Sequence, residues 1–182
     1  MANRICRVVT DVPDYTVFNI VVPTGKTYYA GDVLQLDGLM TGSLNVFDVA
    51  EPATANLATQ KIILINDTFE TLSDGRRPDG QANYAKYEFK EGEIVTGILL
   101  VEGMRFEIST DSIASGTPTV GYSIHPTNGA VQMTTAATTP AGTYSAFETL
   151  ALRSFRAGGQ FGGEFIPTVV AIVKQPTLVA VV

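Results

Sequence analysis

Apolar and polar residues alternate along this chain with a period of two in several short runs, and turn residues separate those runs. The clearest is Met104–Ser109, where Met, Phe and Ile interleave without a break with Arg, Glu and Ser. That pattern predicts a half-buried antiparallel strand. Lys61–Asn66 instead carries the continuous run Ile62-Ile63-Leu64-Ile65, which predicts a strand covered on both faces. Further strands are expected at Ile5–Thr10, Tyr15–Val22, Asp32–Leu36, Leu44–Val49, Tyr84–Phe89, Glu93–Val101, Thr119–Ile124, Val131–Thr134 and Glu164–Lys174. Turn signals such as Asp11-Val12-Pro13-Asp14, Pro23-Thr24-Gly25 and Asp37-Gly38 punctuate them. Glu91-Gly92 and Glu102-Gly103 flank Glu93–Val101, so residues 84–109 read as a three-strand meander.

Phe147–Arg156 fits two templates. Leu150, Leu152 and Ser154 alternate as in a strand, whereas Phe147, Leu150, Ala151 and Phe155 approximate a helical stripe. The strand is favoured, because the Gly-rich link Ala157–Gly163 then joins it to Glu164–Lys174 as the two arms of a hairpin. Residues 73–83, with two Asp-Gly signals bracketing Pro78, predict a loop. The expected fold is all-β: a β-barrel or β-sandwich of about ten to twelve short, mainly antiparallel strands with little helix. Residues 1–182 read as a single β domain, with a candidate subdivision near 110–118.

Composition agrees with that reading. Val, Ile and Thr total 53 of 182 residues, and these β-branched types suit a pleated sheet. Lys+Arg 12 against Asp+Glu 18 gives a net charge of -6, which argues against nucleic acid as a partner, since binding a polyanion needs clustered cations. No apolar run approaches the ~20 residues of a membrane helix, so no membrane partner is expected. Charged residues are only 16%, against about 25% in an ordinary soluble domain. Residues 112–147 contain no Asp, Glu, Lys or Arg at all. This stretch is either a Thr-rich strand-and-loop surface that lacks charge, or a contact surface set against other protein, since interface cores are depleted of charge. Together these features suggest a subunit that shares its surface with neighbours. Cys6 is the only cysteine and is expected to be a small buried hydrophobe near the first strand. The first residues lack the apolar stretch of a secretory signal, so export by the general route is not expected.

Candidate chemistry is sparse. His125 is the single histidine, and no Gly-x-Ser-x-Gly or His-Glu-x-x-His motif accompanies it. Spacing alone permits a triad with Ser123 and Asp111, but a turn histidine ahead of Pro126-Thr127-Asn128-Gly129 is the favoured reading. Glu91, Glu93, Glu102 and Glu107 are candidates for paired acid–base work, yet they are expected at turns and on the polar side of the meander. No calcium loop and no phosphate-binding ending on the Gly-rich link is present. The chain therefore reads as non-enzymatic, with no catalytic residue, metal or cofactor. The residues singled out belong to an interface instead: the adjacent pair Arg76 and Arg77, Phe161 among glycines, Thr135 and Thr138 in the neutral stretch, and Leu178 and Val181 near the apolar C-terminus.

The chain resembles small all-β structural proteins of tailed bacteriophages, in particular capsid decoration (cement) proteins. The resemblance is carried by Lys90-Glu91-Gly92-Glu93-Ile94-Val95 leading to Gly103-Met104-Arg105-Phe106-Glu107-Ile108-Ser109, then by Thr117-Pro118-Thr119-Val120-Gly121-Tyr122 and the closing apolar run Thr168–Val173. It covers roughly residues 84–174, and Gly31–Gly38 is in keeping with it. It implies a virion protein on the capsid surface, made in the host cytoplasm. Such a protein binds the outside of an assembled shell and bridges neighbouring major capsid proteins, commonly as a homotrimer. Two other classes stand beside it: a tail-tube, head-fibre or baseplate subunit, and a carbohydrate-binding β-sandwich module, which the absence of Trp disfavours.

Overall fold

A computed structural model of the chain describes residues 4–10, 14–53, 61–64, 87–140, 146–157 and 164–174. Their strands are β1 (Cys6–Val8), β2 (Val17–Val21), β3 (Thr27–Tyr28), β4 (Val33–Leu39), β5 (Val46–Ala50), β6 (Lys61–Leu64), β7 (Phe89–Lys90), β8 (Ile94–Leu99), β9 (Arg105–Ser109), β10 (Ile113–Ser115), β11 (Ser123–Thr127), β12 (Ala130–Ala136), β13 (Ala146–Ala157) and β14 (Glu164–Lys174). Single 3-10 turns at Asp14–Thr16 and Thr110–Ser112 are the helical elements among the described residues. The all-β expectation is met. Strands outnumber it because two-residue pieces such as β3 and β7 exist only as a pair.

Five strands close on themselves in the order β2-β5-β4-β6-β8 to form a small barrel. Its seam is the parallel pair β2–β5, Asn19 opposite Val46 and Ile20 opposite Phe47. The other barrel pairs are antiparallel. Seven strands form a second sheet in the order β1-β9-β14-β13-β11-β12-β10. Because β1 pairs with β9, Cys6 opposite Ile108, the barrel is an insertion between two neighbouring strands of this sheet. The chain passes from barrel to sheet at residues 100–104, and residues 110–118 lie on the sheet side of that crossing.

One continuous core joins both parts. Ile20, Val33, Leu34 and Val95 from the barrel pack with Phe106, Ile108, Phe147, Met133 and Val169 from the sheet. Phe106 and Phe147 meet edge to face at 5.1 Å between ring centroids, a geometry worth about 0.5–1.5 kcal/mol beyond the area they bury. Cys6 is buried in this core, as expected of a small hydrophobe near the first strand.

Two expectations are corrected. Residues 84–109 are not a meander: β7 pairs with β3, β8 lies between β2 and β6 in the barrel, and β9 lies between β1 and β14 in the sheet. The turns at Gly92 and Gly103 reverse the chain locally, but the two hydrogen-bonding edges of β8 are taken by β2 and β6, not by β7 and β9. Nor is β9 half-buried. Glu107 and Ser109, on its polar side, are covered as fully as Phe106 and Ile108.

Candidate interaction surface

Several buried polar side chains among the described residues hold the chain together. Glu107, 1% exposed, accepts from Arg7 Nε at 2.8 Å and Nη2 at 2.5 Å through Oε2, and from Thr168 Oγ1 at 2.5 Å through Oε1. It is therefore a structural tie across β1, β9 and β14, not a solvated carboxylate. Arg7 also lies over the Phe155 ring at 5.2 Å. Glu91 accepts from the Gly25 N–H at 2.9 Å, and Glu93 from the Tyr87 hydroxyl at 2.7 Å and the Lys90 N–H at 3.0 Å. These carboxylates pin turns, as expected, while Glu102 is exposed.

A second buried tie links the chain start to the barrel. Asp32 Oδ1 accepts from Arg4 Nη1 at 3.2 Å, and Oδ2 accepts from the Tyr29 N–H at 2.8 Å. Burial pushes the Asp32 carboxyl up to about 6, outweighing the opposing pull of Arg4 and the Tyr29 N–H. Burial, with help from Glu51 and Asp32, likewise raises the neighbouring Tyr28 hydroxyl to about 12. Sequence reading missed this pair, because nothing in spacing brings residue 4 to residue 32.

His125 is a buried strand residue of β11 and not a turn residue, paired with Thr134 of β12. Burial lowers its pKa, which favours the neutral ring, and its Nδ1 has no hydrogen-bond partner among the described residues. Ser123 Oγ accepts from Thr139 Oγ1 at 2.9 Å. His125 Nδ1 thus makes no hydrogen bond to Ser123. Among the described residues no group of three or more His, Cys, Asp or Glu is placed to hold a metal ion, and no helix is long and apolar enough to cross a membrane.

What the described residues do offer is an exposed flank without charge. The neutral stretch divides in two: Ile124, His125, Met133 and Thr135 turn inward, whereas residues 114–117, 119–121 and 137–140 are exposed. Ser115 is opposite Thr134, and Ser123 is opposite Ala136, so both exposed segments leave the sheet at the same end of β10, β11 and β12. Val120 is 59% exposed there, and its neighbour Gly121 donates its N–H to the Thr149 carbonyl at 2.8 Å. Leu150, set out by a bulge in β13, is exposed beside it in the chain.

The interface candidates fall unequally on this surface. Thr138 is exposed on the flank. Thr135 is not a surface residue, because its Oγ1 donates to the Ser123 carbonyl at 3.0 Å from a buried position. Arg76, Arg77, Phe161, Leu178 and Val181 lie outside the described residues. The hairpin proposed for residues 147–174 is present: β13 and β14 pair from Ala146–Lys174 to Ala157–Glu164. Beyond Thr168, the last β14 residue paired with β9, the two strands continue as an arm. Ile166 and Phe155, on one side of the arm, pack with Ile5. Leu152 and Phe165 are exposed, Phe165 by 70%.

No protein-family model, curated protein or solved structure matches this chain.

Proposed function

We propose that this protein is a non-enzymatic structural subunit of a tailed-phage virion. It binds the outside of the assembled shell and bridges neighbouring major capsid proteins. The observation that carries the reading is the neutral flank of residues 114–121 and 137–140, with Val120 and Leu150 exposed within or beside it. A surface that stays in water gains from charge, and interface cores lose it. The resemblance to capsid decoration proteins covers the same region, and the buried polar ties give a rigid body on which such a flank is displayed. A bound subunit stabilises a pressurised shell because its contacts are lost only when neighbouring capsomers separate. Each contact contributes about 25 cal/mol per Å² of apolar area, less the cost of association.

The test is uptake by shells assembled without this protein. Saturable, stoichiometric binding that raises the temperature at which the shells open is the expected result. Absence of binding at any protein concentration overturns the proposal. Formation of rings or tubes without shells, and no uptake, moves the chain to the tail or baseplate class.

A further inference from the structure

We propose that two copies of the protein pair edge to edge through β13, residues 152–156 of one copy forming an antiparallel ladder with the same residues of the other about a twofold axis at Ser154. The contact lies beyond Leu150, outside the neutral flank, and does not depend on shell binding.

The hydrogen-bond directions along the hairpin carry the inference. Val173 donates its N–H to the Met104 carbonyl at 2.8 Å and accepts from the Gly103 N–H at 2.9 Å, so it faces β9. Backbone direction alternates along a strand, so Val173, Ala171 and Val169 face β9, whereas Val170, Thr168, Ile166 and Glu164 face β13. Their partners are Ala151, Arg153, Phe155 and Ala157. The N–H and C=O of Leu152, Ser154 and residue 156 therefore point away from β14, to the outer edge of β13. Thr149 is the last residue on that edge with a backbone partner among the described residues: it donates to the Tyr122 carbonyl and accepts from the Gly121 N–H. The bulge between Thr149 and Ala151 falls where the β11 ladder stops.

The two edges of the arm are unlike at the same level. On β14 the register sets Pro167 opposite Ser154, and a proline with no N–H cannot extend a ladder outward. On β13 every outward residue keeps its donor and acceptor. Leu152, Arg153 and Ser154 are consecutive exposed residues, so both faces of the strand are open there as well as its edge. Arg153 is the one charged side chain between Leu150 and Phe155. A long edge of low charge is a template for a further strand, and natural sheets shield such edges with proline or lysine when nothing is to bind.

A second copy is the occupant the edge selects, because one register satisfies it completely. Centred on Ser154, an antiparallel pairing sets Leu152 opposite residue 156 of the second copy and Ser154 opposite its twin. Every outward N–H and C=O then finds a partner. It also sets Arg153 opposite Phe155 of the second copy, an aromatic ring that already lies under Arg7 within its own copy. Moving the axis to residue 153 brings Arg153 against its own twin, a like-charge penalty, and leaves residue 156 unpaired. The contact is isologous and closes at two copies.

The experiment is sedimentation velocity on the full chain without shells, over a range of protein concentration and at about 50 mM and about 500 mM salt. Wild type is expected to form a concentration-dependent dimer whose affinity changes less than about threefold between the two salts, because backbone hydrogen bonds and not ion pairs hold it. Ser154→Pro removes an N–H that faces outward, so the melting temperature stays within about 3 °C of wild type while association weakens at least about a hundredfold. Ser154→Cys places two thiols across the axis, and mild oxidation should link the copies. Leu44→Cys on the distant barrel hairpin should not link them, and Cys6 is buried and does not compete. If Ser154→Pro lowers the melting temperature further, the crosslinking pair decides. Monomeric wild type overturns the proposal. So does an oligomer untouched by a folded Ser154→Pro, or one linked equally through Ser154→Cys and Leu44→Cys. A chain that is monomeric alone but loses shell uptake on Ser154→Pro gives the edge to the capsid protein and overturns the second copy as its occupant. Because no shell is present in the sedimentation, failure of the dimer leaves the shell-binding reading standing, and the reverse also holds.

Discussion

Replacing Arg4 by Met removes the only charge that faces Asp32 among its hydrogen-bond partners while keeping most of the side-chain volume. Both residues are buried, so the remaining carboxylate cannot recover its lost partner from water. Breaking a buried pair from one side costs about 3–5 kcal/mol. The cost depends on pH in a defined direction. In the wild type, burial already holds the Asp32 carboxyl at about 6, above its ordinary 3.8. The folded chain therefore binds this proton more tightly than the unfolded chain, and stability from this group rises as pH falls through 6. Without Arg4 the carboxyl moves higher still, so protonation relieves the strain from a higher pH. Arg4→Met should accordingly lose about 3–5 kcal/mol at pH 8, a fall of roughly 10 °C in Tm for a chain of this length, and clearly less at pH 5. Urea titrations at the two pH values measure both numbers. An equal loss at pH 8 and pH 5, or none at pH 8, refutes the assignment of Arg4–Asp32 as a buried, desolvated pair.

Three further outcomes follow from the packing. Gly116→Ala should destabilise by at least about 2 kcal/mol, because an added Cβ at φ +83° would lie 2.4 Å from the Thr135 carbonyl oxygen; chemical denaturation against wild type checks this. Phe106→Ala should cost about 3–5 kcal/mol through the cavity left against Phe147, whereas Leu44→Ser on the exposed hairpin should stay within about 0.5 kcal/mol in an isolated chain, and melting of the pair separates them. The Cys6 thiol, buried at the sheet's edge strand β1, should react with an aromatic disulfide reagent only on global unfolding; rapid labelling in native buffer would contradict that placement.

The legible part of the fold was what depends on periodicity. The bounds of β14 match the expected Glu164–Lys174, and the helix-or-strand ambiguity at Phe147–Arg156 resolves to strand, because β14 offers it a full-length partner. Pairing was less legible than strands. Residues 84–109 show three strands and two tight turns in the sequence, yet each strand joins a different sheet, since partner choice is decided by residues far away. Polar positions misled for the same reason. Glu107 alternates with Phe106 and Ile108 as a solvent-facing residue would, and only the arrival of Arg7 and Thr168 from β1 and β14 makes its burial tolerable. Of the candidate surface, the neutral composition of residues 112–147 was visible at once. Which half of it turns outward was not, and Thr135 was misplaced because a threonine serves a buried hydrogen bond and an open face equally well.

Amide hydrogen exchange on the shell-bound protein reaches the central proposal most directly. Slowed exchange at residues 114–121 and 137–140 on binding, with the barrel hairpin at 40–46 unchanged by the shell itself, is the predicted result. Unaltered exchange along both flank segments in fully occupied shells would contradict it.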